Sequence, residues 1–204
     1  MGAVVALDRM LDARTVWRGA APCMPGIAPQ PTGHAALDAC LPQGGWPEHA
    51  LSELLVPADG VGELALLFPT LARLTCSGQR VVLVAPPYRV HAPGWAHAGL
   101  DLRLLQVVQA TPRNASWAAE QCLRSGACAA VVCWPHQADD RTLRRLQVAA
   151  ETGRCLGFAY RDAQHARNPS PAALRLRIDA GTRQWHVLKC RGGAAPACGI
   201  ALAS

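Results

Sequence analysis

The sequence predicts an α/β domain with a mostly parallel central sheet, followed by a C-terminal β-hairpin. Apolar runs of β-forming residues alternate with amphipathic helical stretches four times along the chain, which is the pattern of βαβ units. The run QRVVLVAPP is apolar over most of its length, as is typical of a strand buried on both faces. The length of 204 residues suits one ordinary domain with a sizeable core.

The elements follow one another in the order that the hydrophobic periodicity sets. Residues 1–31 predict an amphipathic helix and a Pro/Gly-rich linker, residues 32–193 the core, and residues 194–204 a loose tail. A two-residue turn, Ala180-Gly181, is expected to join the last two strands. The core is expected to contain strands at 51–56, 79–87, 102–110, 127–134, 154–161, 173–179 and 182–190, with helices at 33–41, 63–77, 92–100, 114–126 and 138–153.

Composition restricts the classes of protein that the chain could represent. Half of the residues are apolar and the mean hydropathy is only +0.10, which is typical of a globular protein rather than a disordered one. No run of about 18 uncharged apolar residues occurs, and charged residues interrupt the apolar N-terminus. We therefore expect a cytoplasmic protein that does not enter the membrane. None of the nine cysteines forms a C-x-x-C pair and no two histidines have metal-binding spacing, so no metal site is predicted.

The stretch LSELLVPADGVGEL, residues 51–64, has the layout of a phosphate-binding P-loop but lacks its chemistry. If Gly62 is aligned with the second glycine of that motif, Pro57 replaces the first and has no N–H to offer. Glu63 replaces the lysine, and Leu64 replaces the Ser or Thr that binds Mg²⁺. At about 4 Å, a charge of the wrong sign repels a phosphate by roughly 4 kcal/mol. We therefore predict a degenerate P-loop without a nucleotide, at Pro57, Gly60, Gly62, Glu63 and Leu64.

Other parts of a catalytic site are missing as well. The strand AAVVCWP ends in Cys133 and Trp134, where a Walker B strand would end in the Asp that holds Mg²⁺. Asp139 and Asp140 come later and suit the first turn of a helix. No G-x-S-x-G elbow marks a hydrolase. The sequence therefore predicts no catalytic residue, no cofactor and no enzymatic activity.

A cationic stripe is the first candidate for a partner contact. Arg141, Arg144 and Arg145 share one face of a predicted helix. Residues 141–191, which also include Arg161, hold eleven basic and three acidic residues. The stripe is compatible with a solvated helix face, with contacts to DNA phosphates, or with contacts to an acidic protein surface.

Apolar residues supply two further candidates. Val4, Leu7 and Leu11 have the spacing of helix-in-groove anchors on the N-terminal helix. Trp46 lies in a predicted turn and is either an interface anchor or a core residue.

The stretch after residue 31 resembles the RecA family's entry into its ATPase core. Its pattern comprises Thr32-Gly33, Leu37-Asp38, Gly44-Gly45 with Pro47, and Glu53 within the strand 51–56. The segments VVALDRMLDARTVWRG, QPTGHAALDA, GGWPE and VVLVAPPY are similar to the ImuA family, RecA-like proteins of bacterial mutagenesis cassettes. The resemblance covers nearly the whole chain. It implies a degenerate RecA-like core and a non-catalytic accessory role in SOS-induced, error-prone translesion DNA synthesis, a DNA damage and repair function.

The same resemblance implies the partners. They are RecA, ImuB and an error-prone polymerase III alpha-type subunit, and the N-terminal helix is expected to allow self-association. Two alternatives stay open at this point. One is a DNA-binding protein that uses the arginine-rich face. The other is a cell-division inhibitor of the SulA family, which shares the degenerate RecA-like core and would bind the division GTPase FtsZ. The N-terminal helix and its Pro-rich linker favour the ImuA family.

Overall fold

A single mixed sheet forms the centre of the molecule. The computed structural model describes residues 30–135, 137–179, 181–182, 184–196 and 199–201. The strands in this part of the chain are β1 Leu51–Val56, β2 Val81–Val84, β3 Leu105–Val108, β4 Ala130–Cys133, β5 Leu156–Asp162, β6 Leu174–Asp179, β7 Gln184–Cys190 and β8 Ile200–Ala201. Their order across the sheet is β3-β2-β4-β5-β1-β6-β7-β8.

The strands β1 to β6 pair in parallel, and β7 and β8 are added in antiparallel orientation. The predicted class, an α/β fold with a mostly parallel sheet, is therefore confirmed. The finer assignment to a RecA-like core stays a prediction.

Helices cover both faces of the sheet. They are α1 Ala35–Asp38, α2 Phe68–Cys76, α3 Ala92–His97, α4 Pro112–Arg124 and α5 Asp140–Gly153, with short 3-10 helices at Glu63–Leu66, Leu102–Leu104 and Ala163–Arg167. Successive residues of a strand point to opposite faces, so each buried strand contributes to two cores. Val81 and Leu83 pack in one core with α2 and α3, whereas Val82 and Val84 pack in the other with α4 and α5.

Three local expectations differ from the structure. The helix expected at 63–77 is a 3-10 helix followed by α2, because Pro69 suits the first turn of a new helix. The two-residue hairpin turn is wrong, since Thr182, expected in the strand, lies in a turn, and Asp179 pairs with Gln184. The Asp179 carboxylate instead accepts the N–H of Gly181 at 2.8 Å. The tail is not loose throughout, because Ile200–Ala201 pairs with β7.

In the ranges that the structure describes, no helix has both the length and the apolar character needed to cross a membrane.

Candidate functional site

The loops that follow β1 and β2, residues 57–62 and 85–91, lie at the same edge of the sheet, because both strands run in the same direction. We call this edge, with its two loops, the carboxyl edge. In α/β sheets, ligands bind outside the carboxyl ends of the parallel strands. Residues 57–60 and 87–89 are exposed, so both loops are open to a partner.

The glycines of the first loop are required by the backbone conformation and not by the close approach of another group. Gly60 and Gly62 have φ values of 81° and 87°, in the left-handed region that favours glycine. A Cβ atom added at either glycine would meet nothing within 4 Å. These positions are therefore needed for the turn, and no tightly fitted cradle surrounds them.

Glu63 occupies the place where a P-loop would hold its lysine. It is buried, and its Oε1 accepts the N–H of Gly60 at 3.3 Å. The backbone carbonyl of Glu63 accepts the hydroxyl of Tyr160 at 2.8 Å. Burial, followed by the charge of Glu63, raises the pKa of Tyr160 well above its usual value. The carboxylate thus provides an internal acceptor for a loop amide, where a P-loop would offer its amides to a phosphate.

The other two altered positions have different surroundings. Pro57 is exposed and lines a small cavity of about 270 Å³ with Trp134 and Tyr160. Leu64 is half-buried and packs against the core that contains α2 and α3. A leucine that contributes to core packing supplies no oxygen for Mg²⁺.

A buried ion cluster supports the carboxyl edge from within. Glu53 on β1 is fully buried and accepts Arg161 Nη1 at 2.5 Å and Arg175 Nε at 2.6 Å. Arg161 also donates to the Ala138 carbonyl at 2.6 Å. Arg175 reaches the loop after β5 by donating to the His165 carbonyl at 2.8 Å. One carboxylate therefore joins β1 to both neighbouring strands and to two loops.

The sequence did not reveal this cluster. The expectation that Arg161 belongs to the cationic surface is wrong, because its side chain is buried and paired with Glu53. The one local signal was a charged residue in the middle of the apolar strand LSELLV. A charge at such a position must be paired if the strand is buried on both faces.

Trp46 lies in the core. Only 1% of its surface is exposed, and its Nε1 donates to Thr70 Oγ1 at 2.8 Å. The indole packs edge-on against Phe158 with a centroid distance of 4.9 Å. This burial corrects the expectation of an interface anchor, since a partner cannot reach the side chain.

Arg141, Arg144 and Arg145 are all exposed on α5. Two of them have acidic neighbours. Arg144 lies 3.7 Å from Asp140, and Arg145 pairs with the buried Glu120 of α4. The stripe is therefore partly neutralised within the molecule.

The thiols and histidines form no obvious reactive centre in the part of the chain that the structure describes. No group of three or more His, Cys, Asp or Glu side chains that could hold a metal ion occurs there. Burial raises the pKa of the Cys133 thiol to about 12, which keeps it protonated and unreactive.

Comparison with known proteins identifies the family. A family model described as "Cell division inhibitor SulA" matches residues 50–157, which is more than half of the chain. The chain belongs to the SulA family. The matched range begins just before β1 and ends in β5, so it includes the loop 57–62, β2 and both helices α4 and α5.

Two sequence relatives agree with the family match. The cell division inhibitor SulA of Pectobacterium atrosepticum is 31% identical over 113 residues, which are 54% of this chain and 67% of that protein. The cell division inhibitor SulA of Cronobacter sakazakii is 31% identical over 120 residues, covering 57% of this chain and 70% of that protein. The crystal structure of SulA from Pseudomonas aeruginosa shares 25% identity, covers 54% of this chain and 96% of that one, and has a TM-score of 0.47.

Membership of the SulA family overturns the resemblance to ImuA. The role in translesion synthesis and mutagenesis is therefore wrong, and so are the partners RecA, ImuB and the error-prone polymerase subunit. The strand–loop–helix pattern at residues 51–76 occurs in many α/β proteins, so by itself it could not identify the family. Nothing in the description of the family or of these relatives supports the expected contact with DNA.

Val4, Leu7 and Leu11 lie outside the described residues. Their use as helix-in-groove anchors stays a prediction.

Proposed function

We propose that this SulA-family chain inhibits cell division by binding FtsZ and blocking its assembly. The observation that carries the proposal is the family match over residues 50–157. Two relatives at 31% identity are named cell division inhibitors. The proposal places the chain in the cytoplasm, where a GTPase such as FtsZ finds its nucleotide.

We propose further that the chain acts by binding and does not catalyse a reaction. Glu63 gives the loop amide of Gly60 an acceptor inside the protein. Leu64 packs against the core, in the position where a P-loop would hold Mg²⁺. An inhibitor of this kind must be present in amounts similar to those of its target, because each copy occupies one site.

The carboxyl edge is the surface that we propose for the contact with FtsZ. Tyr88 in the second loop is 68% exposed, and tyrosine is favoured as an anchor in interfaces. Ala85 has a φ of 50°, a strained conformation for a residue other than glycine, and Pro86 and Pro87 follow it directly. These features fix the loop so that it projects Tyr88 towards solvent. Because two strands separate β1 from β2, the two loops stand roughly 14 Å apart, within the reach of one ordinary interface.

The test measures assembly of purified FtsZ with GTP by light scattering while the purified chain is titrated in. Assembly should fall steadily and be lost near an equimolar ratio. Tyr88→Ala should weaken the inhibition about thirtyfold or more, since an aromatic anchor contributes about 2 kcal/mol or more. Val148→Ala is a matched control, because Val148 is also an exposed apolar residue, at 48%, but lies on α5.

The outcomes separate the parts of the proposal. Undisturbed FtsZ assembly at excess chain would remove the proposed function. Inhibition that survives Tyr88→Ala would move the contact away from the carboxyl edge. Inhibition at a small fraction of the FtsZ concentration would indicate turnover and contradict the non-catalytic role.

A further inference from the structure

We propose that the groove between α4 and α5 binds an acidic segment of a protein partner, with Trp117 as its anchor. The groove has a volume of about 680 Å³ and is lined by Thr111, Arg113, Trp117, Glu120, Thr142 and Arg145, among others. The groove lies where α4 and α5 begin after β3 and β4, and it shares no residue with the two loops proposed to meet FtsZ, so the inference does not depend on that proposal.

Trp117 is exposed although the fold does not need it there. Its surface is 61% exposed, whereas the other tryptophans among the described residues, Trp46, Trp95, Trp134 and Trp185, are all buried. Helix α4 already packs through a separate face, formed by Ala115, Ala118, Ala119 and Leu123. An exposed large aromatic side chain next to a groove is therefore unexplained by folding, and tryptophan is enriched among residues that dominate binding energy.

The charged side chains of the groove favour an acidic ligand. Glu120 is its buried carboxylate, and both oxygens are occupied, one by Arg124 at 2.7 Å and the other by Arg145. Arg113 has no acidic partner among the described residues and is exposed at the first turn of α4. Since the N-terminal turn of a helix adds partial positive charge, Arg113 lies in a cationic position that a carboxylate would complement.

A protein segment fits this groove better than a nucleic acid does. Asp139 caps α5 beside Thr142, and hydrogen bonds from Thr142 hold the pKa of Asp139 below its usual value, so it is charged. Asp140 follows it and lies 3.7 Å from Arg144. These two carboxylates would repel the evenly spaced phosphates of a strand. A peptide can place one carboxylate at Arg113 and an apolar side chain on Trp117 while avoiding both.

The experiment follows the fluorescence anisotropy of a labelled Gly/Ser peptide that carries one phenylalanine and one neighbouring glutamate, titrated with the full chain. Binding should be measurable and should weaken as salt is added. Trp117→Ala and Arg113→Glu should each weaken it about tenfold or more. Both side chains are exposed, and thermal melting confirms that the variants fold. Arg167→Glu is the matched control, because it reverses an exposed arginine charge away from α4 and α5 and should retain the affinity.

Four results would overturn the proposal. These are the absence of peptide binding, binding that neither Trp117→Ala nor Arg113→Glu weakens, and displacement of the peptide by a single-stranded oligonucleotide that binds more tightly through the same residues. The fourth is concentration-dependent dimerisation, measured by sedimentation, that Trp117→Ala abolishes, because it would assign the groove to a second copy of the chain.

Discussion

The Nε of Arg175 donates to Oε2 of Glu53 over 2.6 Å at a site where the carboxylate has no exposed surface. Arg161 engages the other oxygen of the same carboxylate. Two guanidinium groups from β5 and β6 thus depend on one acidic side chain on the strand between them. Removal of that charge leaves two buried cations without a counter-ion, which is far more costly than the loss of an exposed ion pair.

Glu53→Gln should therefore lower the free energy of unfolding by about 3–5 kcal/mol, the usual cost of breaking a buried ion pair. Urea denaturation followed by circular dichroism measures the change. Asp59→Asn removes the same charge from an exposed loop and should alter the stability by less than about 0.5 kcal/mol. Equal stability of the two variants would show that the buried ion cluster contributes nothing to the free energy of unfolding.

The degenerate P-loop should leave the protein indifferent to nucleotide. Because Glu63 is the acceptor for the Gly60 amide, ATP with Mg²⁺ should not change the melting temperature. A ligand at 100 times its dissociation constant would add about 2.7 kcal/mol of stability, an increase of roughly 5–10 °C for a chain of this size. An ATP-dependent increase in the wild type would contradict the prediction. The variant Glu63→Gln separates charge from shape, since stabilisation of this variant alone would mean that the carboxylate by itself excludes the nucleotide.

The buried hydroxyl of Tyr160 should make the protein less stable in alkaline solution. Burial and the Glu63 charge raise the pKa of its hydroxyl, so the folded protein keeps a proton that the unfolded chain releases near pH 10. The stability from this group is therefore complete below about pH 10 and is lost as the pH rises towards the raised pKa. Tyr160→Phe should cost about 1 kcal/mol at neutral pH, by removing the hydrogen bond to the Glu63 carbonyl.

Urea midpoints measured from neutral pH to pH 11 should fall less steeply in Tyr160→Phe than in the wild type. Tyr88→Phe is the control, because Tyr88 is exposed and its loss should leave the slope unchanged. Parallel curves for the wild type and Tyr160→Phe would assign the alkaline transition to other groups.

Replacement of the N-terminal anchors should weaken binding and leave the fold intact. Replacing Leu7 and Leu11 by Asp should weaken the affinity for FtsZ at least about tenfold, since each leucine buried at a contact contributes roughly 1.5–3 kcal/mol. Titration calorimetry measures the affinity and thermal melting measures the fold. Asp8→Asn is a control at a neighbouring polar position. An unfolded double variant would place the segment in the protein's own core, and unchanged affinity would exclude it from the interface.

The fold was largely predictable because its strands are local apolar patterns. The expected limits of β1, residues 51–56, are those that the structure shows. The pairing of Glu53 with Arg161 and Arg175 was not predictable, because the partners are 108 and 122 residues away and each arginine alone resembles a surface cation.

The burial of Trp46 is a second feature that could not be predicted from the sequence. A tryptophan between Gly45 and Pro47 suits an exposed turn as well as a buried one. Only the hydroxyl of Thr70, 24 residues later, and the ring of Phe158 decide that it lies inside. Long-range packing of this kind leaves no periodic signal near the residue itself.

The position of β1 between β5 and β6 has a consequence for the protein's synthesis in the cell. Ser52 pairs with Phe158 on one side and with Leu174 on the other. At a translation rate of 5–20 residues per second, roughly 6–24 s separate the synthesis of Ser52 from that of Leu174. Until β5 is synthesised, late in this interval, β1 has neither of its neighbouring strands and Glu53 has no counter-ion. Chaperones and proteases act on unfolded chains in that time, so slower translation should lower the yield of folded protein.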